Sequence, residues 1–249
     1  MRTYRTGGTV TTQDRHVVDV VGIELTMAAS VQFGLLLSLW AIIRLQPVGW
    51  LAGVAYAAGA LALLGGAATR SATRALGPAN RVTLARAILV GGVTALVVDA
   101  IATHREVTAL VILASVALVL DAVDGQVARR TGTVTALGAR FDMEVDAFLI
   151  LVLSVFVAND IGVWVLAIGA MRYVFVVAGW LTPWLRGSLP TSMARKAVAA
   201  LQGVALVIAA SGALPRPVTA MLVLAALGAL VWSFGRDVAW LWQHRAAQR

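Results

Sequence analysis

Only 12 of the 249 residues are acidic, and five of these, Asp121, Asp124, Asp142, Glu144 and Asp146, fall within residues 121–146. Apolar runs at 111–120 and 147–158 flank the stretch. Carboxylates at membrane depth are expensive, so they are read as functional by default. If both halves are helical, Asp121, Asp124, Gly125 and Ala128 share one face, and Gly138, Asp142 and Asp146 recur every four residues on the next helix. Residues 131–135, with Gly132 among β-branched neighbours, are the natural turn between them. Two helices would then turn four carboxylates toward each other. Four like charges share a low-dielectric site only when most are neutralised, and the usual partner of oxygen-only ligands is a hard divalent cation such as Mg²⁺ or Mn²⁺. The chain has no cysteine, and His16, His104 and His244 stand elsewhere, which argues against zinc. Two metals on a carboxylate cluster suit chemistry at a phosphate. Gly125 and Ala128 leave room on the same face for a flat or bulky group. Glu144, two positions after Asp142, points away from that face and is expected to be structural.

The pattern D-x-x-D-G-x-x-A-R-x8-G-x-x-x-D-x-x-x-D is matched at Asp121, Asp124, Gly125, Ala128, Arg129, Gly138, Asp142 and Asp146. It resembles the signature of the CDP-alcohol phosphotransferases, class I integral-membrane enzymes. The resemblance implies that Asp121, Asp124 and Asp142 hold two divalent cations, Mg²⁺ or Mn²⁺. It also implies that Asp146 reaches the metals and takes the acceptor's proton, and that Gly125, Ala128, Arg129 and Gly138 line the nucleotide and phosphate pocket. Pro78, Asn80 and Arg86 lead into an apolar helix in a way that resembles the opening of the family's first core helix, which puts Asn80 and Arg86 near the donor phosphates. The implied reaction moves a phosphatidyl group from CDP-diacylglycerol, or a similar CDP-linked lipid, to an alcohol and releases CMP. The resemblance further suggests a homodimer.

Composition agrees with a membrane setting. Hydrophobic residues make up 60% of the chain, charged residues 13%, and mean hydropathy is +0.86. No soluble domain of this size needs so much apolar sequence. The net charge of +8 is scattered at the ends of apolar segments, which fits anionic headgroups and phosphorylated substrates better than nucleic acid. The expected fold is all-α: a polytopic membrane helix bundle of about eight spans, at 25–43, 49–68, 82–103, 107 into the motif, 141–158, 161–181, 197–211 and 218–234. The first two carry no functional group; Glu24 sits at the edge of the first, where it can reach the headgroups. With a basic, disordered tail over the first 20 or so residues they form an N-terminal unit, 1–69, peripheral to a six-helix catalytic core at 70–249. With both termini on one side, every Lys and Arg except Arg44, Arg105 and Arg216 lies on, or toward, that side. The positive-inside rule then puts the aspartates at the cytoplasmic face of the cell membrane.

Cations beside the motif are candidates for a phosphorylated acceptor. Arg172 stands near the middle of the sixth span and must meet an anion there, either a motif carboxylate or the acceptor's phosphate. Arg140 follows the motif turn, and Arg186, Arg195 and Lys196 accompany Ser188, Thr191 and Ser192 in a proline-broken loop before the seventh span. Asp99 reads as a paired or snorkelling residue. Around the third and fourth aspartates the chain reads F-D-M-E-V-D-A, without the proline and lysine more frequent in glycerophosphate-using relatives, and the sixth helix is less basic than in inositol-phosphate synthases. Neither acceptor is favoured. An alternative function is a divalent-cation transporter using the carboxylates as an ion path, but that leaves Gly125, Ala128 and Arg129 unexplained and needs polar groups through the whole bilayer.

Overall fold

The computed structural model describes residues 12–71, 78–103, 107–131, 136–187 and 192–244. Of these, the side chains of 12–21, 68–71, 78–80, 123–131, 136–137, Pro183 and Arg186 lie outside the described set; residues 1–11, expected as tail, and 132–135, most of the expected turn, lie outside it altogether. Eight α-helices follow one another without a strand among the described residues: α1 Thr12–Ile43, α2 Pro47–Ser71, α3 Pro78–Thr103, α4 Thr108–Thr131, α5 Ala136–Ile161, α6 Leu166–Leu181, α7 Met193–Ala210 and α8 Arg216–His244. Short 3₁₀ turns at Val163–Val165 and Pro183–Arg186 precede and follow α6.

Six helical segments are long and apolar enough to cross a membrane: Gly22–Ile43, Pro47–Ala67, Arg81–Thr103, Val163–Leu181, Met193–Ala210 and Arg216–His244. The other two of the eight expected spans are the helices that carry the aspartates. The described side chains of α4 form an apolar stretch, Thr108–Ala122, and α5 holds Arg140, Asp142, Glu144 and Asp146 in its first half, where a membrane span would carry apolar residues.

The bundle is built around α3, which packs against α1, α2, α4 and α5. Val90, Val93, Ala95 and Val97 are almost fully buried. The approach is close because small residues face the neighbours. A Cβ on Gly92 would meet Leu113 of α4 at 2.7 Å and Leu35 of α1 at 2.9 Å. One on Gly49 of α2 would meet the Ala95 carbonyl oxygen at 2.8 Å. Asp99, buried near the end of α3, accepts a hydrogen bond from the Gln46 backbone N–H at 2.7 Å and so fixes the start of α2 to the core. On the other side of the bundle, the buried Gln202 of α7 donates to the Ala226 carbonyl of α8 at 2.9 Å. Large apolar side chains such as Leu51, Trp180 and Met221 face outward, as a lipid solvent permits.

Several boundaries differ from expectation. Helix α1 begins at Thr12, so residues 12–20, read as tail, extend the first helix ahead of its span; extending an existing helix costs far less than starting one. Helix α5 runs through Asn159 and Asp160 to Ile161, and the chain turns at Gly162, whose φ of +140° suits glycine. Arg216 donates to the Asp160 carbonyl at 2.5 Å, satisfying one of the last acceptors of α5. Helix α8 continues past residue 234 to His244; there Trp240 stacks on His244 and Trp242 meets Trp184 edge-on. Glu24 binds Arg81 at 3.0 Å, tying α1 to α3, where a headgroup contact was expected.

Candidate metal and phosphate site

Three helices meet at the motif. Helix α4 brings Asp121, α5 brings Asp142 and Asp146 one turn apart, and one oxygen from each lies within 4.8 Å of the others. Into this cluster α3 inserts Arg86. Its Nη1 reaches Asp121 Oδ1 at 2.9 Å and Asp142 Oδ1 at 2.5 Å, and its Nη2 donates to Asp146 Oδ1. The guanidinium is 1% exposed, whereas the carboxylates keep 44%, 31% and 40% of their surfaces. A buried arginine needs anionic acceptors for its fixed fork of donors, and the acids supply them from one side. Their other side stays open.

Three carboxylates against one guanidinium leave a formal charge of −2 on these four side chains. All the donors are oxygens, and together they suit a hard divalent cation. Asp121, Asp142 and Asp146 are the described residues able to hold one. Asp124, Gly125, Ala128 and Arg129 continue along α4, beyond the last side chain described there. Gly138 is buried in the first turns of α5. Asn80 lies in the first turn of α3, and its side chain is outside the described set.

The candidate acceptor cations are dispersed. Arg172 of α6 pairs with Glu144 of α5 at 2.5 Å, on the face of α5 turned away from Asp142 and Asp146. Arg195 of α7 pairs with Asp237 of α8 at 3.3 Å, Arg236 donates to Ser192 at 3.2 Å, and Lys196 is exposed. Arg186 falls in the 3₁₀ turn after α6, its side chain outside the described set. Arg140 is exposed and lines a cavity of about 900 Å³ between α2, α5 and α6, together with Glu144, Phe148 and Tyr173.

The wall of that cavity from α2, including Tyr56 and Gly59, was not singled out from the sequence. Its signal was present as a stripe of small and aromatic residues at helical spacing, which is ordinarily read as packing. The Arg86 partnership was legible in principle. An arginine five residues into an apolar span must find an anion, the rule applied to Arg172.

No curated protein and no solved structure matches the chain. A family model described as CDP-alcohol phosphatidyltransferase matches residues 77–233, well over half of the sequence. This favours the transferase over the cation transporter. Because the match runs from the start of α3 through most of α8 and takes in Arg86 and every motif aspartate, the chain belongs to the CDP-alcohol phosphatidyltransferase family.

Proposed function

We propose that the protein transfers a phosphatidyl group from CDP-diacylglycerol to a small alcohol, releasing CMP, in phospholipid synthesis. The observation that carries this reading is the cluster of three part-exposed carboxylates gathered around a buried arginine inside a family-matched membrane bundle. Two divalent cations, Mg²⁺ or Mn²⁺, would be held by Asp121, Asp124, Asp142 and Asp146; bound there, they spread the charge of the pyrophosphate and stabilise CMP as the leaving group.

The chain's own groups do the rest. Asp146 takes the proton of the acceptor hydroxyl. The acceptor oxygen forms its bond to the phosphorus that carries diacylglycerol, and the bond from that phosphorus to the CMP oxygen breaks. Asn80, Arg86 and Arg129 are assigned to the donor phosphates, with Gly125, Ala128 and Gly138 as the nucleotide wall. Arg140, Arg186 and Lys196 are cations assigned to a phosphorylated acceptor, and Arg195 joins them if its pair with Asp237 opens. The Glu144 pairing gives Arg172 an internal anion, so its acceptor role requires that this pair open. The charge asymmetry of the connectors supports a site on the cytoplasmic side of the cell membrane, and a homodimer remains part of the proposal.

The test is CMP release by the purified protein with CDP-diacylglycerol and Mg²⁺ or Mn²⁺, against glycerol 3-phosphate, inositol 1-phosphate, inositol, serine and phosphatidylglycerol. One acceptor should support turnover. Asp146→Asn should keep donor binding while turnover falls by roughly 10²–10⁴-fold, the usual weight of a general base. Full activity in that variant removes the base.

A further inference from the structure

Helix α2 lies outside the family-matched residues, yet it forms one wall of the cavity of about 900 Å³. Ala55, Gly59, Leu63 and Ala67 line that cavity at steps of four, a single face of the helix. They extend over about 18 Å of helix, somewhat more than half the thickness of a hydrocarbon layer. The adjoining wall comes from α5, whose Phe148 packs against Tyr56 with ring centroids 4.9 Å apart. The lining is mostly apolar; its charged members, Arg140 and Glu144, both come from α5, and tyrosines stand on either side, Tyr56 of α2 and Tyr173 of α6. Glu144 is already held by Arg172. Arg140 is therefore the cation the groove offers to an anionic occupant; it is carried by α5, the helix that also bears Asp142 and Asp146, on the face that carries Glu144.

A long apolar channel in a membrane protein, with an arginine at one end on a helix that also bears two of the site's aspartates, matches a molecule with a hydrocarbon tail and an anionic phosphate head. Resting on the transferase reading above, we propose that this groove holds one acyl chain of the CDP-linked lipid donor, with Arg140 at the phosphate end, a donor-side role in place of the acceptor role given to it above. Helix α2 is then part of the donor site and sets which chains fit. Gly59 is the key position. A Cβ built there meets nothing within 4 Å, so the space beside it belongs to the groove and not to a neighbouring helix. A large side chain at 59 fills the groove without displacing the fold.

The experiment uses the full-length protein in nanodiscs and has two readings. First, CMP release is measured with a long-chain donor, CDP-dioleoylglycerol, and a short-chain one, CDP-dihexanoylglycerol. Gly59→Trp should raise KM for the long-chain donor about tenfold more than for the short-chain one, because contacts to the distal methylenes are lost. An unchanged ratio overturns the proposal. Second, a CDP-diacylglycerol analogue with a diazirine on one acyl chain is photolysed and the labelled peptide mapped. Label should fall within residues 55–67, be displaced by excess CDP-diacylglycerol but not by phosphatidylcholine, and drop in Gly59→Trp. Label elsewhere, or displaced equally by phosphatidylcholine, marks the groove as bulk lipid surface and overturns the proposal. The second reading needs no turnover, so absent CMP release with specific labelling counts against the reaction alone. CMP release with α2 unlabelled counts against the groove alone.

Discussion

A guanidinium with 1% of its surface exposed must be matched by anions, and Arg86 meets three of them. Removing one partner of a buried charged group typically costs about 3–5 kcal/mol. The acids that Arg86→Leu leaves behind keep 31–44% of their surfaces, so the variant should lose less than that in EDTA, about 1–3 kcal/mol, and Mg²⁺ or Mn²⁺ should restore part of the loss, since a divalent cation neutralises the same carboxylates. Arg86→Lys should rescue incompletely, because an ammonium lacks the planar fork. Thermal melts with and without metal read both effects; identical melts for wild type and Arg86→Leu would show that the cluster does not depend on this arginine. At this scale the aspartates were legible in the sequence because their spacing of three and four marks one helical face. The partners of the arginines were not. Which acid Arg172 meets depends on how α5 and α6 are rotated against each other, and the answer, Glu144, lies on the face opposite the motif.

Helix packing rests on close approaches that small residues allow. On Gly169 of α6 a Cβ would lie 2.5 Å from the Leu151 Cα, a backbone atom that cannot swing aside, whereas Gly59 of α2 faces open space. Gly169→Ala should cost roughly 1–3 kcal/mol through forced separation of α5 and α6. Gly59→Ala should be neutral or gain up to about 1 kcal/mol from helix propensity. Unfolding of the two variants side by side in detergent reads the contrast, and equal effects would contradict the packing described. Helix existence was plain from apolar run length, but helix ends were less so. The Asn159-Asp160 pair reads as a turn, yet the helix absorbs it and leaves the reversal to Gly162, because the need for positive φ outweighs a local polar signal. Likewise the polar residues of 12–20 read as tail, although nothing in them stops a helix already running through the span that follows.

Across the whole molecule, apolar surface faces outward while Arg86, Asp99 and Gln202 are buried and bonded within, as expected of a bundle dissolved in lipid. The membrane class followed directly from composition. The place of the N-terminal hairpin did not follow, because α1 and α2 carry no motif and their value lies in what they touch: α3 through Gly49 and Asp99, and the cavity through the Gly59 stripe. The most direct measurement of the central claim is metal-dependent CMP release from CDP-diacylglycerol by the purified protein, compared with Asp142→Asn. Release should stop in EDTA, return with Mg²⁺ or Mn²⁺, and fall by at least about 100-fold in the variant while its fold is retained. Release that continues at the wild-type rate in folded Asp142→Asn would contradict a carboxylate-held metal site as the seat of the reaction.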